Sequence, residues 1–236
     1  MKSNSILCIL FLVFSIVGRS QNIPIYKTTE KLIIDGDLSD WEIPFIGPFV
    51  IHNSGMKATQ KTFVSLSWSD ENLYIAYSSE DSKIIGSKKK NDTQIYKTDD
   101  LVEIFIDPDG NGMYYAEIGV NAFSTNYDMI INCVSPDCGG WETSTAFNVL
   151  GMETSSKITF EGFCVEIKIP FSSLENIPNG NFKKPKIGTN WKGNVFRIDF
   201  GNQTDYLAIT AYNGSKFGFH QPEQFKNFEF KDVFNN

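Results

Sequence analysis

The sequence predicts an all-β fold, an antiparallel β-sandwich or jelly roll. Three observations predict it. Apolar and polar residues alternate along many short runs, turn-forming residues separate those runs, and helical periodicity is scarce. Val64, Leu66 and Trp68 alternate with Phe63, Ser65 and Ser67. Leu73, Ile75 and Tyr77 follow the turn Ser69-Asp70-Glu71-Asn72, so these two runs form a hairpin. In the run 101–106, Val102, Ile104 and Ile106 share one face, and Leu101, Glu103 and Phe105 the other. The chain turns at Asp107-Pro108-Asp109-Gly110-Asn111-Gly112 and returns along 115–120. Later runs span 127–133, 157–169, 195–200, 206–212 and 225–230. Short spaced strands of this kind build sandwiches and jelly rolls. Helix is expected only as single turns near 38–41, 171–174 and 222–225, and segments 46–60 and 82–98 read as loops.

The chain has 236 residues and a formal charge of −7. Lys2, the apolar run 6–17 and the small residues Gly18 and Ser20 read as a cleaved signal peptide over 1–20. Residues 21–236 then form one domain, and removal of Lys2 and Arg19 takes the charge from −7 to −9. An acidic surface argues against nucleic acid or anionic membrane as partner. The signal peptide places the mature chain outside the cytoplasm (secreted, periplasmic or at the cell surface); with no second long apolar run it is expected without membrane insertion, and as a monomer. Export permits a disulfide. Cys133 and Cys138 flank the turn-forming Val-Ser-Pro-Asp, so a small-loop bridge is expected there, with two free thiols the alternative.

Nucleophile elbows, HExxH helices, Gly-rich phosphate loops and Cys-His pairs are absent. No spacing marks a pair of carboxylates as a glycosidase needs, and no catalytic residue is assigned. Binding has better material. Glu103 stands among large apolar residues, where a carboxylate is costly unless paired. Aromatics make up 14% of the chain, and Tyr96, Trp141, Phe217 and Phe219 fall in expected loops, where core packing does not demand them. Apolar walls with a few convergent polar groups are the design of a small-ligand site. Arg197, mid-strand, reads as an ion pair on a sandwich face or as a sugar contact. Asp107, Asp109 and Asn111 alternate as in a calcium loop, but Ile118 stands where an EF-hand has its last glutamate, and a tight hairpin turn explains the same residues.

Five segments together resemble the family 9 carbohydrate-binding modules and their broader relatives in secreted bacterial proteins. These are Ile34-Asp35-Gly36-Asp37-Leu38-Ser39-Asp40-Trp41, Trp68-Ser69-Asp70-Glu71-Asn72-Leu73-Tyr74-Ile75-Ala76, Asp99-Asp100-Leu101-Val102-Glu103-Ile104-Phe105-Ile106-Asp107, Val165-Glu166-Ile167-Lys168-Ile169-Pro170 and Phe219-His220-Gln221-Pro222-Glu223-Gln224-Phe225. The resemblance implies a sandwich that grips a terminal sugar between two aromatic rings, matched here by Tyr96 and Phe219, with Glu103 binding hydroxyls; His220, next to the second ring, reads as a loop residue hydrogen-bonding backbone or as a ligand contact. The family's arginine falls near Gly119, leaving its role to Asn121 or Glu117. No cofactor is required; structural calcium, as in the family-like domains, would be sought at Asp81 and Asp100. The partner implied is the end of an oligo- or polysaccharide. The alternatives are a glycan-processing enzyme or its accessory domain, and a sandwich repurposed for protein interaction.

Overall fold

The computed structural model describes residues 22–234 except 136, 179, 202 and 215; the expected signal peptide lies outside the described residues. The first half of the chain supplies β1 (Ile23–Lys27), β2 (Val50–Ile51), β3 (Thr62–Trp68), β4 (Asn72–Glu80), β5 (Leu101–Asp107), β6 (Tyr114–Asn121) and β7 (Asn126–Cys133). The second half supplies β8 (Trp141–Ser144), β9 (Glu153–Ile158), β10 (Gly162–Pro170), the one-turn α1 (Phe171–Leu174), β11 (Asn190–Asp199), β12 (Asp205–Ala208) and β13 (Lys226–Val233). The expected single turns are present at Leu38–Asp40, Phe171–Leu174 and Pro222–Gln224.

The strands run in the hydrogen-bonded order β8-β7-β6-β5-β11-β13-β1-β3-β4-β10-β9, with β12 joining β11 to β2. The two halves of this path close over one apolar layer, giving a sandwich. Val64, Leu66, Ile75, Tyr77, Val165 and Ile167 come from one half, and Val102, Ile104, Ile118, Val120, Val195 and Phe228 from the other. Pairing is antiparallel except for β1, which runs parallel to both β13 and β3. Two further expectations are corrected. The run 157–169 is two strands, because the chain turns between Ile158 and Gly162. Only glycine fits the return: a Cβ at Gly162 would stand 2.1 Å from the carbonyl oxygen of Ser79. Trp141 lies on an edge strand, β8, not in a loop.

Each half also buries its outer face. On one, Trp41 donates from Nε1 to Glu166 Oε1 at 2.7 Å, and the amides of Asp35 and Gly36 donate to Oε2. This clamp closes the segment around the Leu38–Asp40 turn over Tyr74 and Ala76. On the other, Leu101, Phe105, Tyr115, Tyr127, Met129, Ile131 and Phe196 form a second apolar layer under Ile95, Tyr212, Phe219 and Phe225. The candidate site is built on this second layer.

Candidate functional site

Cross-strand register sets the floor of the site. Glu103 of β5 pairs with Gly119 of β6, and Gly119 pairs with Tyr127 of β7, so the three form one row. Glu117 lies two residues from Gly119 on the same face. Gly119 is glycine for a reason of space: a Cβ there would stand 2.3 Å from Cε1 of Tyr127. The tyrosine therefore lies across β6, and its hydroxyl reaches Glu103 Oε1 at 2.6 Å and Glu117 Oε1 at 2.8 Å.

A phenol carries one hydrogen. It donates to one carboxylate, so the other carboxyl must hold a proton and donate to the phenol oxygen. The electrostatics agree. Glu103 and Glu117 are 2% and 5% exposed. Burial, then the charge of Glu117, pushes the Glu103 carboxyl well above its ordinary value, and burial raises Glu117 to about 7. Glu103 Oε2 and Glu117 Oε2 are buried without a hydrogen-bond partner.

Aromatic groups border the pair on two sides. Tyr96, half-buried on the turn Ile95–Lys97, meets the Tyr127 ring edge-on at 5.3 Å. Burial and the charges of Glu117 and Glu103 raise its hydroxyl. On the other side His220 stacks on Phe105, with ring centres 5.2 Å apart. Its Nδ1 lies 2.8 Å from the Tyr115 hydroxyl, and its Nε2 lies 3.7 Å from Glu117 Oε2. Burial and the charge of Lys216 lower His220 to about 4, so the imidazole is neutral near pH 7. Trp141, 47% exposed, lies 4.4 Å from the His220 ring. A disulfide between Cys133 and Cys138 closes the β7–β8 turn, and Cys133 is the cross-strand partner of Trp141.

Of the residues expected from sequence, Tyr96, Glu103, Glu117 and His220 come together. Phe219 does not serve as an open ring: it is 6% exposed and stacked face-on against Phe196 at 4.1 Å, a plug of the second apolar layer. Asn121 is also corrected. Its Nδ2 donates to Ser87 O and Asp99 Oδ2, and its Oδ1 accepts from the amides of Phe123 and Thr125, so its capacity is used within the fold. Tyr127 was missed. The available signal was a tyrosine facing a glycine on the face that carries two glutamates.

Asp107, Asp109 and Asn111 form the hydrogen-bonded turn expected from sequence. Asp107 accepts from the amides of Gly110 and Gly112, Asp109 from Asn111 and Asn181, and Asn111 from Met113 and Tyr114. Asp81 and Asp100 do converge, joined by Asp199, with ligand atoms within 4.8 Å of one another. All six carboxylate oxygens already accept an N–H. Arg197 serves Asp81 and Asp199 at 2.9 and 3.1 Å, and the amides of Lys83, Ile85, Phe200 and Gly201 serve the rest. The arrangement is a buried ion-pair cluster in which the guanidinium supplies positive charge.

A family model, Carbohydrate family 9 binding domain-like, matches residues 49–232. Two solved structures of a family 9 carbohydrate binding module from Caldicellulosiruptor kristjanssonii, one with glucose and one with cellotriose, share the fold. Their TM-scores are both 0.61, at 18% and 17% identity. Each alignment covers 91% of this chain, and 98% and 96% of the respective module. Endo-1,4-beta-xylanase A of Thermoanaerobacterium saccharolyticum is 27% identical over 146 residues, or 60% of this chain, which spans only 11% of the enzyme. With most of its length matched and its sandwich shared, the chain belongs to the Carbohydrate family 9 binding domain-like family.

Proposed function

We propose that this chain binds carbohydrate without catalysis, seating a terminal sugar over Glu103 and Glu117 with Tyr96 and Trp141 as flanking rings. The observation that carries this reading is the pair of buried carboxyl oxygens, Glu103 Oε2 and Glu117 Oε2, that no protein group satisfies. A buried acceptor without a partner costs about 1–3 kcal/mol, and sugar hydroxyls supply the missing donors. Family membership supports the ligand class, and the glucose and cellotriose seen with the relative suggest an oligosaccharide end. Catalysis is not favoured, since the two carboxyls are tied to one phenol and not held across a scissile bond. The Cys133–Cys138 bridge suits an oxidising compartment, consistent with export.

Isothermal titration against a panel of oligosaccharides tests this. Binding of at least one is expected, and Trp141→Ala or Tyr96→Ala should weaken it roughly tenfold, the scale of one aromatic contact. Absence of binding across the panel, or wild-type affinity in both variants, would sink the proposal.

A further inference from the structure

The carboxyl pair beneath the proposed sugar seat has no internal cation. Glu103 and Glu117 are buried side by side on one phenol, and each leaves an oxygen unsatisfied. Among the described residues no lysine or arginine pairs with either. Several other buried carboxyls are supplied from within the fold, Asp99 by Lys89, Asp81 and Asp199 by Arg197, and Glu166 by three N–H donors; Asp128 also keeps one unsatisfied oxygen, but it stands singly, with its other oxygen on the Val149 amide. The cations nearest the site are engaged elsewhere. Lys97 lies 5.6 Å from the centre of the Tyr96 ring and donates to Gln94, while Lys216 donates to the carbonyls of Asp137 and Cys138. His220, the basic side chain that does approach Glu117, is uncharged near pH 7.

Two acceptors without donors, in a setting of aromatic rings, make a seat for an ammonium group. An ammonium offers three donors and a full positive charge, its hydrogen bonds to carboxylates are stronger than those of a hydroxyl, and the faces of Tyr and Trp attract cations. Resting on the carbohydrate reading above, we infer that the preferred ligand is an amino sugar whose protonated amine sits between Glu103 and Glu117, with its pyranose ring against Trp141 or Tyr96.

The experiment is a titration of the whole chain with three β-1,4-linked tetramers, of glucose, of glucosamine and of N-acetylglucosamine, and with ethylammonium alone, at about pH 7, where a sugar amine keeps much of its charge and Glu117 is about half ionised. The glucosamine oligomer should bind at least about tenfold tighter than the glucose oligomer, and N-acetylation should erase the gain. Glu117→Gln, and Glu103→Gln as an independent variant, should narrow that ratio to within about threefold. Equal or tighter binding of the glucose oligomer would overturn the ammonium seat and leave the carbohydrate reading standing. Ethylammonium binding as tightly as the amino sugar would overturn the sugar. An unchanged ratio in both variants would move the seat elsewhere. Failure of every sugar would overturn this inference together with the function proposed above.

Discussion

Two clusters of buried carboxyls sit on opposite faces of the same half of the sandwich and are treated differently by the fold. Around Arg197, between the sheets, Asp81 and Asp199 take the guanidinium, and every carboxyl oxygen of the cluster, Asp100 included, meets an N–H. Around Tyr127, on the outer face, Glu103 and Glu117 have a single phenol between them and two oxygens left over. The difference teaches what each is for. A cluster that carries its own cation is complete in the folded chain and holds the sheets together. A cluster that lacks one leaves two oxygens unsatisfied in the folded chain, which is the ground for the ligand seat proposed above.

The largest effect is expected from breaking the closed cluster. Arg197→Met keeps an aliphatic stem but removes the guanidinium, whose central carbon lies 5.5 Å from the centre of the Phe163 ring, and with it the charge. Asp81 and Asp199 are then buried without compensation, a loss of about 3–5 kcal/mol. A fall of that size in the denaturation midpoint, at unchanged slope, is the result to look for; a change below about 1 kcal/mol would mean that water replaces the guanidinium. Next in size is Gly119→Ala. The added methyl overlaps the Tyr127 ring, and overpacking of this kind costs about 1–3 kcal/mol. Because Tyr127 is the bridge between the two glutamates, sugar binding should fall with it, and Gly119→Leu should do worse on both counts. Retention of full affinity in Gly119→Ala would show that the bridge does not matter.

The test that sharpens the comparison most is in pH, where a difference between two curves is read and not a single midpoint. Glu117 titrates near 7 in the folded chain against an ordinary value of 4.5. A raised carboxyl favours its protonated form in the fold, so its contribution to stability is present below about 4.5 and is lost as pH rises through about 7. Asp100 is likewise raised to about 7, by burial first, and contributes in the same window. The difference between the stability curves of wild type and Glu117→Gln isolates the open cluster. The variant should be flatter across that window and relatively more stable at its upper end; parallel curves would contradict a shared proton.

Strand alternation made most of the sandwich readable in advance. It placed Val102, Ile104 and Ile106 on one face and Glu103 on the other, as the structure has them. The parallel pairing of β1 was not readable, since a five-residue strand carries no mark of direction. At the site, Glu103 and Tyr96 were legible because a carboxylate among apolar residues and an aromatic in a loop are both locally anomalous. Tyr127 and Glu117 were harder: each is ordinary within its own strand and becomes informative only through register, which puts them beside Gly119 and Glu103. Phe219 misled because a loop residue looks free in sequence, whereas this loop folds back and drives the ring onto Phe196.

The disulfide has a consequence for how the rim is held. Trp141 sits on a four-residue edge strand whose side chains are all exposed, so little apolar burial anchors it, and strands of that kind open readily. The Cys133–Cys138 link ties the base of that strand to β7. One wall of the proposed sugar seat is therefore kept in place by a covalent bond and not by the core, and its endurance follows the redox state of the surroundings more closely than it follows the stability of the sandwich.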